Sequence, residues 1–142
     1  MSDTEKAVVV PAAPADYNSP RDLARLLEEH GFAMQKKFGQ NFLVNQNARE
    51  KILDYTQAQR GELVWEIGPG AGAMTWGALS RGFRVHAFEI DHGFARILRE
   101  AYDPLGTFTL HEGDFLDTWQ AARSSGEDPV CIFGNLPYNA AS

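Results

Sequence analysis

ELVWEIGPGAGAMTWGALS, residues 62–80, is the stretch on which the fold turns. An apolar run closes on an acid, three glycines follow at alternate positions, and an apolar stretch of helical character comes next. ELVWEI (62–67) reads as a buried strand, because a strand covered on both faces is apolar without alternation. GPGAG makes the turn, AMTWGALS reads as a helix, and Gly82 ends it.

Working outward, the same alternation repeats. FRVHAFEI (83–90) reads as a strand, DHGFARILREAY as a helix, TFTLHEG (107–113) as a short strand, FLDTWQAARS as a helical turn or more and PVCIFG (129–134) as a strand. Strands alternating with helices predict an α/β fold with a parallel sheet and right-handed crossovers. On the amino-terminal side, Ser19-Pro20 predicts a helix start. Leu23, Leu26 and Leu27 recur at helical spacing, with Gly31 as the stop. KKFGQNFLVNQ reads as a loop. Asn45 or Asn47 then caps a second helix, roughly NAREKILDYTQA, which Gly61 ends. Residues 1–18 read as a flexible tail, and 19–142 as one folded unit with no internal repeat.

Bulk properties set limits. The chain has 142 residues, 44% hydrophobic and 23% charged, ordinary for a globular domain with a core. A lone cysteine, Cys131, excludes an internal disulfide and a cysteine metal cluster; it reads as a small core residue and fits a cytoplasmic setting. No stretch approaches the roughly 20 apolar residues of a membrane span, and the acidic start lacks a signal peptide's pattern. Net charge is −6, which argues against nucleic-acid binding by the whole surface. Residues 34–60 nevertheless carry +3, with Lys36, Lys37, Arg49, Lys51 and Arg60, so a local basic patch is available to a phosphate backbone.

Ligands of open parallel sheets bind beyond the carboxyl ends of the strands. Glu66, Glu89, Asp114 and Asn135 each fall at or just past the end of successive strands. The turn EIGPGAG (66–72) lets backbone approach a ligand through Gly68, Gly70 and Gly72. Glu66 before it would repel a pyrophosphate and suit an ammonium group, and the third glycine follows the second by two residues rather than three. Both features favour S-adenosylmethionine over NAD. Glu89 can accept both hydroxyls of a ribose. Asp114 can accept from an adenine amino group with Phe115 lying against the ring, or cap the helix it precedes, or both. In GNLPYN (134–139), Asn135, Pro137 and Tyr138 suit a planar base, held by stacking while carbonyl oxygens accept from its exocyclic amine.

FGQNFL (38–43), EIGPGAG (66–72), FEID (88–91), EGDF (112–115) and GNLPYN (134–139), in that order, resemble the small-subunit ribosomal RNA adenine dimethyltransferases of the KsgA type. The erythromycin-resistance methyltransferases of large-subunit RNA share much of the pattern. The resemblance covers roughly residues 19–142 and implies a Rossmann-like class I S-adenosylmethionine-dependent methyltransferase fold. It implies a cofactor pocket from Gln40, Asn41, Leu43, Glu66, Gly68, Gly70, Gly72, Glu89 and Asp114. Asn135, Leu136 through its carbonyl, Pro137 and Tyr138 would form the methyl-transfer loop, and the product would be dimethyladenosine. The implied partner is small-subunit ribosomal RNA in an immature small subunit, with no metal, no membrane and a monomeric complete enzyme.

That family's sheet has seven strands, of which four are expected here, and it carries a C-terminal helical domain that contacts RNA. The chain is therefore expected to be the N-terminal part of such a catalytic domain. AAS after GNLPYN departs from the family's β-branched residue and hydroxyls. PVCIFG is expected as an exposed apolar edge. Two rival readings stand beside the enzyme: an NAD-dependent oxidoreductase, disfavoured by Glu66 and the glycine spacing, and a non-catalytic RNA-binding or ribosome-assembly module.

Overall fold

The computed structural model describes residues 9–32, 45–124 and 126–134. In chain order these form α1 (Pro20–Glu29), α2 (Gln46–Tyr55), β1 (Leu63–Ile67), α3 (Ala73–Ser80), β2 (Arg84–Glu89), α4 (His92–Tyr102), a 3-10 turn (Asp103–Leu105), β3 (Phe108–Glu112), α5 (Phe115–Ser124) and β4 (Cys131–Gly134). The four strands are parallel in the order β3-β2-β1-β4. Consecutive numbering breaks beside β1, which places the topological switch point between β1 and β4, directly over the glycine turn.

Packing follows from the strand sequences. Val64, Val85, Ala87 and Phe108 face α2, α3 and α4 through Leu53, Met74, Ala78, Leu79, Leu98 and Tyr102. On the opposite face Leu63, Trp65 and Phe88 meet Phe115, Trp119 and Ala122 of α5. β1 is buried on both faces along most of its length and so carries no alternation, whereas β2 alternates buried Val85 and Ala87 with half-buried Arg84 and His86 before its buried end. A third cluster docks α1 through Leu23, Leu26 and Leu27 onto Ile97 of α4 and Ala71 of the glycine turn. His30 adds a polar tie, its Nε2 lying 3.1 Å from Glu100 Oε2 of α4.

Three expectations change. The segment 9–18, expected as part of a tail, is packed in part: Pro11, Ala15 and Tyr17 are buried and the Trp76 indole donates to the Pro11 carbonyl at 2.8 Å, while Val9 and Val10 are exposed. Helix α2 stops at Tyr55, not near Gly61, because the Thr56 hydroxyl turns back to the Leu53 carbonyl (2.6 Å) and Gln57 takes φ 54°. Arg49, counted with a basic surface patch, points inward; it is 4% exposed and donates to Asn18 Oδ1 at 2.6 Å. Lys36 and Lys37 lie outside the described residues. Strand β4 is an edge of the described sheet, with Val130 and Ile132 about half exposed.

Candidate functional site

Register brings the polar strand ends to one level. Ile67 pairs with Phe88 and Gly134, and Glu89 with Glu112. The chain leaves β1 at Gly68, whose N–H donates to the Phe88 carbonyl at 2.9 Å and carries the ladder one step past the strand. Gly68 and Gly70 then take φ of 67° and 58°, a left-handed backbone that side chains disfavour. The glycine at 72 has a second cause. At φ 100° it caps α3 without a side chain, and a Cβ there would sit 2.9 Å from Leu98 Cδ2 and 3.0 Å from the Tyr17 hydroxyl.

Glu66 and Glu89 flank this turn from adjacent central strands, and both are buried. The Thr75 hydroxyl donates to Glu66 Oε1 at 2.5 Å. Burial pushes the Glu66 carboxyl up to about 8, with the nearby Glu89 charge adding to the rise and the Thr75 bond opposing it. Glu89 accepts the Gly70 N–H on Oε1 (2.9 Å) and the Asp91 N–H on Oε2 (3.0 Å). Desolvation still raises its pKa, against the pull of those two donors. The Ile90 N–H also favours the charged carboxylate, and with about four lone-pair sites Glu89 still has acceptor capacity for a ligand hydroxyl. The same carboxylate thus shapes the glycine turn and presents acceptors beside it.

Asp114 is exposed at the end of β3, and its Oδ1 accepts the Leu116 N–H at 2.9 Å, the geometry of a helix cap. Phe115 packs edge-on against Phe88, ring centroids 4.9 Å apart, so its ring is engaged with the core on the α5 side. Glu112 pairs with Arg99 at 2.6 Å and with His92. Gln40, Asn41, Leu43, Asn135, Leu136, Pro137 and Tyr138 lie outside the described residues. The ends of the first of those segments are anchored. Phe32 stacks on Phe94 with centroids 4.7 Å apart, and Asn45 caps α2 by accepting the Ala48 N–H at 3.0 Å.

Sequence reasoning passed over two residues here. Ile90 is 66% exposed, an apolar side chain between Glu89 and Asp91; an aliphatic residue just past a strand's terminal acid was the available signal. Tyr17 reaches the glycine turn from the segment expected to be tail, and an aromatic among small residues was the only hint.

A family model described as ribosomal RNA adenine dimethylase matches residues 31–142. The chain belongs to the ribosomal RNA adenine dimethylase family. Among its curated relatives, Ribosomal RNA small subunit methyltransferase A of Treponema denticola is 46% identical over 132 residues, which is 92% of this chain and 45% of that protein. The protein of the same name from Phenylobacterium zucineum is 41% identical over 120 residues, 84% of this chain and 42% of that one. This dimethylase-family chain therefore spans less than half the length of the curated relatives it matches. Among solved structures, a 23S rRNA methyltransferase, ErmE, is 25% identical with a TM-score of 0.55, covering 68% of this chain and 38% of that one. An O-methyltransferase from Bacillus cereus, 20% identical with a TM-score of 0.52, covers 79% of this chain and 59% of that one and shares the fold. The expected class I methyltransferase fold is thus borne out in its four described strands.

The donor set suits a cationic nucleoside. Two buried carboxylates flank the left-handed glycine turn, the reverse of what a pyrophosphate needs. Acceptors on Glu89 fit a diol, and Asp114 beyond β3 is exposed.

Proposed function

We propose that this chain is the cofactor-binding part of an S-adenosylmethionine-dependent adenine dimethyltransferase acting on small-subunit ribosomal RNA. The observation that carries the reading is the pair of buried glutamates, Glu66 and Glu89, bracketing a left-handed glycine turn at the topological switch point. The names of the relatives support the small-subunit substrate. Bound S-adenosylmethionine would supply a methyl group on a positively charged sulfur with a neutral leaving group. Glu66 would balance its ammonium group, Gly68, Gly70 and Gly72 would admit it to the backbone, and Glu89 would accept from its ribose. Asp114, with Ile90 as an apolar wall, would take the adenine; Phe115 would back that wall from the core. Gln40, Asn41 and Leu43 would complete the pocket.

The Asn135 side-chain carbonyl and the Leu136 backbone carbonyl would accept the two hydrogens of the target amine, while Pro137 would keep the loop rigid and Tyr138 would stack on the base. Such acceptance favours a pyramidal nitrogen whose lone pair can attack, after which the surplus proton passes to water. Alignment is then most of what the protein must contribute. Residues 19–142 would be the N-terminal part of the catalytic domain of a cytoplasmic, monomeric enzyme. No helix among the described residues is long and apolar enough to cross a membrane.

Calorimetric titration with S-adenosylmethionine, with NADH as control and circular dichroism to verify folding, tests the cofactor. Binding of S-adenosylmethionine alone is expected; binding of NADH alone would sink the reading. Label transfer from S-adenosylmethionine to unmethylated small subunits tests the substrate. Binding to those subunits that survives Tyr138→Ala, with no transfer by the parent chain, would favour an assembly module instead.

A further inference from the structure

The Tyr17 hydroxyl donates to the Ala71 carbonyl at 2.8 Å and lies 2.7 Å from the Tyr102 hydroxyl, all three groups buried. A phenol has one proton. Tyr17 commits its proton to Ala71, which can only accept, so Tyr102 donates to Tyr17. Burial holds both phenols above their usual pKa, so neither loses its proton at neutral pH. The result is a directed chain, Tyr102 O–H to Tyr17 O–H to Ala71 C=O. Ala71 sits between Gly70 and Gly72, one residue before the cap of α3, so its carbonyl falls outside the helix ladder.

Beyond the Gly68 N–H on the Phe88 carbonyl and the Gly72 N–H on the Pro69 carbonyl, two side chains hold the turn: Glu89 accepts the Gly70 N–H and Tyr17 donates to the Ala71 carbonyl. Three glycines in five residues give a free turn many conformers, and a ligand that needs one of them binds more weakly by the fraction populated. We infer that Tyr17 is a positioning residue that holds the glycine turn in the shape that receives S-adenosylmethionine, while Tyr102 braces Tyr17. This rests on the cofactor reading given above.

The two tyrosines allow a test that separates the bond to Ala71 from the bond between the rings. Tyr17→Phe and Tyr102→Phe each delete one buried hydroxyl and break the same bond between the rings. Only Tyr17→Phe takes the donor from Ala71. In the 142-residue chain, Tyr17→Phe is expected to weaken S-adenosylmethionine binding about tenfold, the worth of one buried hydrogen bond. Tyr102→Phe should stay within about twofold although it too lowers the thermal midpoint, by less than Tyr17→Phe does. Without ligand, amide exchange at residues 70–72 should quicken in Tyr17→Phe only. Equal weakening in both variants, or none in Tyr17→Phe, would overturn the inference. A folded parent chain that binds no S-adenosylmethionine would overturn the cofactor reading first, and the inference with it.

Discussion

Glu66 is the residue whose chemistry departs furthest from its free state among the site's acids. Its folded pKa of about 8 stands above the ordinary 4.5, so the folded chain holds a proton that the unfolded chain releases between those values. Stability from this group is full below about 4.5 and declines as pH rises towards about 8. Glu66→Gln should remove that decline, and the difference between the two proteins in urea midpoint across this range checks it. An ammonium group brought beside Glu66 should reverse the preference. Binding of S-adenosylmethionine at neutral pH should then expel close to one proton, seen as a heat that varies with the buffer's ionisation enthalpy and is lost in Glu66→Gln. Gly72 belongs to the same scale. Gly72→Ala meets both a positive φ and a packed Leu98 and Tyr17, and should cost about 2–4 kcal/mol in urea unfolding.

Helix α1 shows what elements contribute. It is capped by Ser19, whose hydroxyl accepts the Asp22 N–H at 3.1 Å, and buries Leu23, Leu26 and Leu27 on α4 and the glycine turn. Ser19→Ala should cost about 1 kcal/mol and Leu27→Ala about 2–5 kcal/mol, measured by urea unfolding. The leucine spacing and the Ser-Pro start were readable in the chain because both are local signals. The end of α2 was not, since Thr56 and Gln57 stop it with a hydroxyl and a left-handed non-glycine residue where a glycine was the expected sign. Arg49 was misplaced for a related reason. A cation on a helix reads as solvated, whereas the turn at Tyr17 and Asn18, remote in sequence, accepts hydrogens from this one in the interior.

At the scale of the molecule, the order β3-β2-β1-β4 leaves β4 outermost in the described sheet. Ile132 on that strand is half exposed, so Ile132→Lys should reduce light scattering at high concentration while leaving the thermal midpoint within about 2 °C. The strands themselves were legible to within a residue or two, β1 as a continuous apolar run buried on both faces and the others as short β-branched or aromatic runs between turn residues. The acids Glu66 and Glu89 were legible as strand endings. Their burial and their bonds to Thr75, Gly70 and Asp91 were not, being products of register between strands. Least legible was the packing of residues 9–18, whose partners at Ala71, Trp76 and Tyr102 lie more than fifty residues away.

That distance has a consequence in time. Tyr17 leaves the ribosome early, yet its brace, Tyr102, is 85 residues behind it. At roughly 5–20 residues per second, some 4–17 s separate the two. Until α4 follows, Leu23, Leu26 and Leu27 have no Ile97 to pack on, and the Tyr17 hydroxyl lacks the proton that Tyr102 donates to it. This segment is thus synthesised before the groups it packs on, and it docks only once the glycine turn, Trp76 and α4 have followed it.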